Sequence, residues 1–153
     1  MKFAATGSSV VGPSHRQDNH PNQDTVLVKG KRKGWCIAVC DGLGSRQLSH
    51  KGSQLAANLI CSTVRSLEAD HCNPAAISLR LQREWLEAVD QTASPYETTC
   101  LWASVDSNGV LKSAQVGDGL LLVRSEGRFS VSTPVRSGFG NQTQTLSQAK
   151  YDD

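Results

Sequence analysis

The spacing of apolar residues changes twice along this 153-residue chain, and this change constrains the fold more than any other feature. Residues 24–29 and 35–40 are short apolar runs typical of strands, and the second is apolar almost throughout, as in a strand buried on both faces. From about residue 49 to residue 67, apolar side chains recur every three or four positions, which predicts a helix. After residue 95 the pattern returns to strands. This order favours an α+β fold over a strict alternation of strands and helices.

A second helix is predicted to begin at residues 73–74, where Asn precedes Pro, because Asn is a good N-cap and Pro suits the first helical position. Two hairpins follow, with turns at residues 106–109 and 125–127, and both turns contain glycine. At the amino terminus, residues 1–11 are predicted as a first strand and residues 12–23 as a polar loop.

Composition narrows the class of protein. The net charge of +2 is too small to predict a nucleic-acid or membrane surface, and the basic run at residues 29–34 is best interpreted as a solvated hairpin loop. The five cysteines are odd in number and form no Cys-x-x-Cys pair, which favours reduced thiols. Residues 1–9 lack the apolar stretch of a signal peptide, and no segment is long enough to span a membrane. We therefore expect one cytoplasmic domain.

Three aspartates lie at the ends of strand-like runs. Asp24 precedes the first run, Asp41 closes the second, and Asp118 lies in a Gly-Asp-Gly turn. Each alone is more often a turn residue that caps backbone N–H groups. Together they suit a hard divalent cation, particularly if neighbouring strands bring Asp24 and Asp41 to one end of a sheet. Gly42 would let its carbonyl turn toward a ligand, and Gln23 adds an amide.

Four segments resemble, in order and local sequence, motifs of the metal-dependent protein phosphatases, the protein phosphatase 2C family, in a bacterial-like form. They are Asn-Gln-Asp at 22–24, Asp-Gly-Leu-Gly-Ser at 41–45, Thr-Thr at 98–99 and Val-Gly-Asp-Gly at 116–119. The resemblance extends from residue 12 to about residue 133. It implies two packed antiparallel sheets flanked by helices, a four-layer αββα sandwich.

The resemblance also implies a reaction, namely hydrolysis of phosphoserine or phosphothreonine in a phosphoprotein by a water that bridges two Mn²⁺ or Mg²⁺ ions. By this resemblance Asp24 and Asp41 are the catalytic metal ligands, with Asp41 bridging the ions. The carbonyl of Gly42 would complete the coordination of one ion, and Gln23 would contact the metal site through a water. Asp118 would match the position that holds a further, more weakly bound metal.

The sequence departs from the family pattern around the expected phosphate ligand. Members commonly place an arginine five residues before the motif aspartate, where this chain has Asn19. The nearest candidates to contact the phosphate are His15 and Arg16, and the alternative for both is a solvated surface position. Leu43 replaces a histidine that some members use as a proton donor.

The resemblance implies further metal aspartates in a later Asp-Gly motif and in a carboxyl-terminal Asp-Asn segment, and this sequence contains neither. Asp152 and Asp153 have no adjacent apolar strand that would orient their carboxylates toward the site. A second ion would therefore lose most of its protein ligands. We expect an incomplete phosphatase domain over residues 1–133, a polar tail or loop over residues 134–153, and an exposed sheet edge that favours association.

Two functions follow from these expectations. The first is a protein-serine/threonine phosphatase, active if the missing ligands come from elsewhere. The alternative is a catalytically impaired pseudophosphatase or fragment that acts as a binding or regulatory module. A third possibility, nucleic-acid binding, rests only on the basic run at residues 29–34.

Overall fold

The computed structural model describes residues 4–31, 34–66, 73–133 and 143–150. The helices are α1 (Pro13–Gln17), α2 (Ser49–Ser66) and α3 (Pro74–Ala88), with 3₁₀ turns at Ser94–Tyr96 and Leu146–Gln148. The strands are β1 (Thr25–Lys31), β2 (Gly34–Cys40), β3 (Cys100–Asp106), β4 (Leu111–Val116), β5 (Leu122–Ser125) and β6 (Arg128–Val131). The predicted α+β class is confirmed.

Four strands form one antiparallel sheet in the order β1-β2-β3-β4, and β5 pairs with β6 in a separate two-stranded sheet. Alternate side chains of β2 and β3 point to one face and are buried there: Cys36, Ala38, Cys40, Cys100 and Trp102. The other face of β2 is only partly covered, with Val39 41% exposed, so the predicted burial of this strand on both faces is wrong. Helices α2 and α3 pack on this sheet and against each other, so the core lies between the helical layer and the sheet.

Small residues set the distance between α2 and its neighbours. The helix buries Ala56 and Ala57, and Gly52 lies so near the chain at Tyr96 that a Cβ on Gly52 would be 1.8 Å from the carbonyl oxygen of Tyr96.

The indole N–H groups of both buried tryptophans donate hydrogen bonds within this layer. The indole of Trp85 donates to the carbonyl of Gly52 at 3.0 Å, and the indole of Trp102 donates to a serine hydroxyl of α3 at 3.2 Å.

Two predictions for the amino-terminal part are wrong. Residues 4–11 form no strand, because glycine, serine and threonine there leave too few apolar side chains to pair and bury. The segment predicted as a polar loop contains the short helix α1, which begins at Pro13 because proline already has a helical φ and needs no N–H partner there. Residues 1–3 lie outside the described part of the chain.

The predicted helices and hairpins otherwise agree with the structure. Helix α3 begins where expected, and the side chain of Asn73 accepts a hydrogen bond from the N–H of Ala75 at 2.9 Å. The β5–β6 turn places Glu126 and Gly127 at positive φ. The four described cysteines are buried and form no disulfide bond with one another: Cys36, Cys40, Cys61 and Cys100. Cys72, His71 and the basic residues 32–33 lie outside the described residues.

Candidate metal and phosphate site

The pairing of β1 with β2 brings the first two aspartates together. Thr25 lies opposite Cys40 in this antiparallel ladder, so Asp24, just before β1, and Asp41, just after β2, meet at the same end of the sheet. The carboxyl groups are close enough to share a hydrogen bond when one is protonated. The sheet register therefore produces the juxtaposition that the sequence predicted on condition that the two strands are neighbours.

Two threonines directly before β3 hold the backbone of Asp41. The N–H of Asp41 donates to the hydroxyl of Thr99 at 3.0 Å, and its carbonyl accepts from the N–H of Thr99 at 2.8 Å. The hydroxyl of Thr98 donates to the same carbonyl at 3.0 Å. Both threonines are buried, so these bonds are protected from competing water. In the sequence the Thr-Thr pair is visible only as a family motif, and nothing there indicates that it anchors Asp41.

The electrostatics of the site disfavour ionisation of both carboxyl groups when no cation lies between them. Partial burial of the Asp41 carboxyl, the adjoining Asp24 and the charge of Asp118 raise the pKa of Asp41 from 3.8 to about 6. Like charges raise a carboxyl pKa because each ionised group destabilises the next. A divalent cation between the carboxylates would remove this cost.

Gln23 places an unpaired oxygen beside the two aspartates. Its side chain is 5% exposed, and its Nε2 donates to the carbonyl of Arg46 at 3.1 Å and, more weakly, to that of Gly44 at 3.5 Å. Its Oε1 is buried and has no protein partner. A buried amide oxygen normally requires a donor, so this atom suits a water molecule held in the site.

Gly42 is the glycine that the site requires. It is buried, its N–H donates to the carbonyl of Gln23 at 3.2 Å, and a Cβ would lie 2.6 Å from that carbonyl oxygen and 2.8 Å from the carbonyl oxygen of Ser49. Both obstacles are backbone atoms that side-chain rotation cannot move. Only glycine fits without displacing one of these two segments.

These residues surround an open cleft of about 330 Å³. Its lining consists of Val10, Gly12, Ser14, His15, Asn22, Gln23, Asp24, Asp41, Gly42 and Gly44. Of the two predicted phosphate contacts, His15 lines the cleft, whereas Arg16 is exposed on α1 and does not. Ser14 and Asn22 also line it, and no pattern in the sequence indicates a role for Ser14.

Comparison with known proteins identifies the family. The family model described as Protein phosphatase 2C matches residues 11–153, which is most of the chain. The chain belongs to the protein phosphatase 2C family. Comparison with curated proteins finds no match, and comparison with solved structures also finds none.

The third aspartate of this protein phosphatase 2C domain lies near the first two but has its own neighbours. Asp118 accepts a hydrogen bond from the hydroxyl of Thr143 at 3.1 Å and is not part of the cleft lining, although its charge acts on Asp41. Thr143 belongs to a segment packed beside the site, in which Leu146 is fully buried and its N–H donates to the carbonyl of Thr98 at 2.8 Å.

The residues of the protein phosphatase 2C domain fit one divalent cation. Hard cations bind carboxylate, carbonyl and water oxygens, and Asp24, Asp41 and the unpaired Oε1 of Gln23 supply this chemistry at one place. Within residues 4–31, 34–66, 73–133 and 143–150, no three His, Cys, Asp or Glu side chains are grouped to hold a metal ion. Water would therefore have to complete the coordination. Asp152 and Asp153 lie outside the described residues.

Proposed function

We propose that this protein phosphatase 2C domain hydrolyses phosphate esters of serine and threonine side chains in proteins. The observation that carries the proposal is the pairing of Asp24 with Asp41 in a cleft, where partial burial and the adjoining Asp24 raise the pKa of Asp41 to about 6. Such a pair is a poor structural element on its own and a good ligand for a divalent cation.

Each residue has a definite part in this proposal. Asp24 and Asp41 would hold the cation, the Gly42 carbonyl is a further candidate ligand, and Gln23 Oε1 would accept a hydrogen bond from an ordered water. When bound, Mn²⁺ or Mg²⁺ lowers the pKa of a coordinated water and neutralises phosphoryl charge. Thr98 and Thr99, directly before β3, keep Asp41 in place while the phosphate enters the cleft.

The phosphate is expected to enter from the α1 side, where His15 lines the cleft. Arg16 lies on the same short helix and is exposed, so it is placed to meet the substrate outside the cleft. Asp118 is proposed to hold a further, weakly bound cation together with water, because one carboxylate alone gives little affinity.

The test is phosphate release from a phosphoserine peptide with Mn²⁺, with Mg²⁺ and with chelator. Asp41→Asn should abolish metal-dependent release, since it removes one of two charged ligands. Asp90→Asn is a matched control, because Asp90 is exposed beyond the end of α3 and Asn also accepts its positive φ. Equal rates in the wild-type protein and Asp41→Asn would refute the proposal.

A second candidate is a binding module without turnover. It is favoured by the absence, among the described residues, of a three-carboxylate group for one ion. This candidate predicts that a phosphopeptide binds in chelator and binds equally well to Asp41→Asn, as calorimetry would show. Loss of binding in either case would exclude it.

The remaining expectations on location and partners stay predictions. No helix in the described parts of the chain is long and apolar enough to cross a membrane. The β5–β6 sheet offers a surface for self-association, where Leu122 and Val131 are paired and exposed and Phe129 is exposed on the same face. Sedimentation of wild-type protein against Phe129→Ser would measure it.

A further inference from the structure

A serine phosphate has a strongly basic leaving group, and the cleft must supply a proton to it. When the P–O bond to the seryl oxygen breaks, the departing alkoxide needs a proton to become a free hydroxyl. Aspartates that hold a cation are ionised and cannot donate one. The amides of Gln23 and Asn22 and the hydroxyl of Ser14 are too weakly acidic to donate one near neutral pH.

His15 is the one imidazole among the residues that line the cleft. Imidazole is the side chain that exchanges protons near neutral pH. Its place is set by α1, which begins at Pro13, and the N–H of His20 donates to the carbonyl of His15 at 2.8 Å. The two rings lie 5.9 Å apart between centroids, yet only His15 lines the cleft, where it is half-buried, whereas His20 is exposed.

The carboxylates and the imidazole of the cleft come from different elements. Asp24 and Asp41 lie at the ends of β1 and β2, whereas His15 lies on α1. A phosphate ester bound between them would present its phosphoryl group to the strand end and its leaving oxygen toward the helix. This arrangement suits attack by water from one side and departure of the serine on the other.

We propose that His15 is the proton donor to the leaving seryl or threonyl oxygen, an inference that rests on the proposed phosphatase function. The bond from phosphorus to the seryl oxygen breaks as a bond to the attacking water oxygen forms. The imidazolium of His15 gives its proton to the seryl oxygen and becomes neutral imidazole. The proton lost by the attacking water passes to solvent, and solvent protonates His15 again, so that the products are a free serine and hydrogen phosphate.

A comparison of leaving groups tests this role. 4-Nitrophenyl phosphate releases a weakly basic phenolate that needs no proton, whereas a phosphoserine peptide releases a strongly basic alkoxide. In His15→Asn, kcat for the peptide should fall by about 100-fold or more, which is the usual contribution of a general acid. For 4-nitrophenyl phosphate, kcat should stay within about threefold of wild type, because proton donation is not needed. A series of aryl phosphates should show a steeper dependence of kcat on leaving-group basicity in the variant.

His20→Asn is the matched control, since it removes a neighbouring imidazole that does not line the cleft, and it should retain both activities. His15→Gln is a second variant of the same position and should repeat the selective loss. If His15→Asn slows both substrates equally, His15 contacts the phosphate and the inference is overturned while the phosphatase function stands. If wild-type protein hydrolyses neither substrate with Mn²⁺, the proposed function fails and the inference fails with it.

Discussion

Replacing Asp41 by asparagine should make the metal-free protein more stable at neutral pH. The folded-state pKa of Asp41 is about 6 against an ordinary 3.8, so the folded state binds the proton more tightly than the unfolded chain does. Folding stability therefore falls as the pH rises from about 4 through about 6, and the full cost is present above the folded pKa. Asparagine has nearly the same shape and cannot ionise, so it removes this cost.

The magnitude follows from the difference between the two pKa values. At about 1.4 kcal/mol for each pH unit, the upper limit of the cost is about 3 kcal/mol. Asp41 is only partly buried, and the remaining contact with solvent reduces both the burial cost and the repulsion, so we expect about 1 kcal/mol. For a chain of this length, that free energy corresponds to about 2–4 °C in Tm.

The assay is urea and thermal unfolding of wild type, Asp41→Asn and the control Asp90→Asn, in chelator at pH 4.5 and pH 7.5. The advantage of Asp41→Asn should be present at pH 7.5 and shrink at pH 4.5, where wild-type Asp41 is protonated in the folded state. Mn²⁺ at ten times its Kd should stabilise wild type by about 1.4 kcal/mol and the variant much less, which reverses the order. A variant less stable than wild type at pH 7.5 in chelator, or an advantage equal at both pH values, would refute the reasoning.

Three further predictions concern the framework around the site. Thr99→Val should lower the free energy of unfolding by about 1–3 kcal/mol, because the part-buried N–H of Asp41 loses its acceptor. Calorimetry should also show Mn²⁺ affinity reduced by about tenfold or more. Gly42→Ala should lower the free energy of unfolding by about 1–3 kcal/mol, because the new Cβ displaces the backbone. Gly44→Ala is the control and should unfold in urea almost as wild type does, since its Cβ would have no neighbour nearer than 3.8 Å. Trp85→Phe should lower the urea midpoint by an amount equivalent to about 1–3 kcal/mol, since a buried carbonyl of α2 loses its donor; an unchanged midpoint would contradict this role of the indole.

The sequence predicts those parts of the fold whose signals are local. The Asn-Pro start of α3 and the apolar run of β2 both fix their elements within a few residues. The buried face of α2 is less well predicted, because the larger Leu55 and Leu59 remain half-buried while Ala57 is fully covered. Small side chains permit the closest approach to the sheet, and hydropathy alone does not report this.

The candidate site is predicted from the sequence only in its charged residues. Asp24 and Asp41 are identifiable because each lies at the end of an apolar run, and the strand register then brings them together. The role of Thr99 depends on a hydrogen bond between residues that are 58 positions apart, and no spacing rule reaches that far. Leu146 is a single apolar residue in a polar segment, so its burial beside the site leaves no periodic pattern in the sequence.

The long separation between Asp41 and Thr99 also governs when the site can form during synthesis. The β1–β2 hairpin is made early, but the threonine that fixes the Asp41 backbone is made 58 residues later. At about 5–20 residues per second, roughly 3–12 s pass between these two events on the ribosome. In that interval the nascent chain already carries both carboxylates without the strand that positions them. At the proposed site, capture of a metal ion would therefore be a late step, coupled to arrival of β3 after both long helices have been translated.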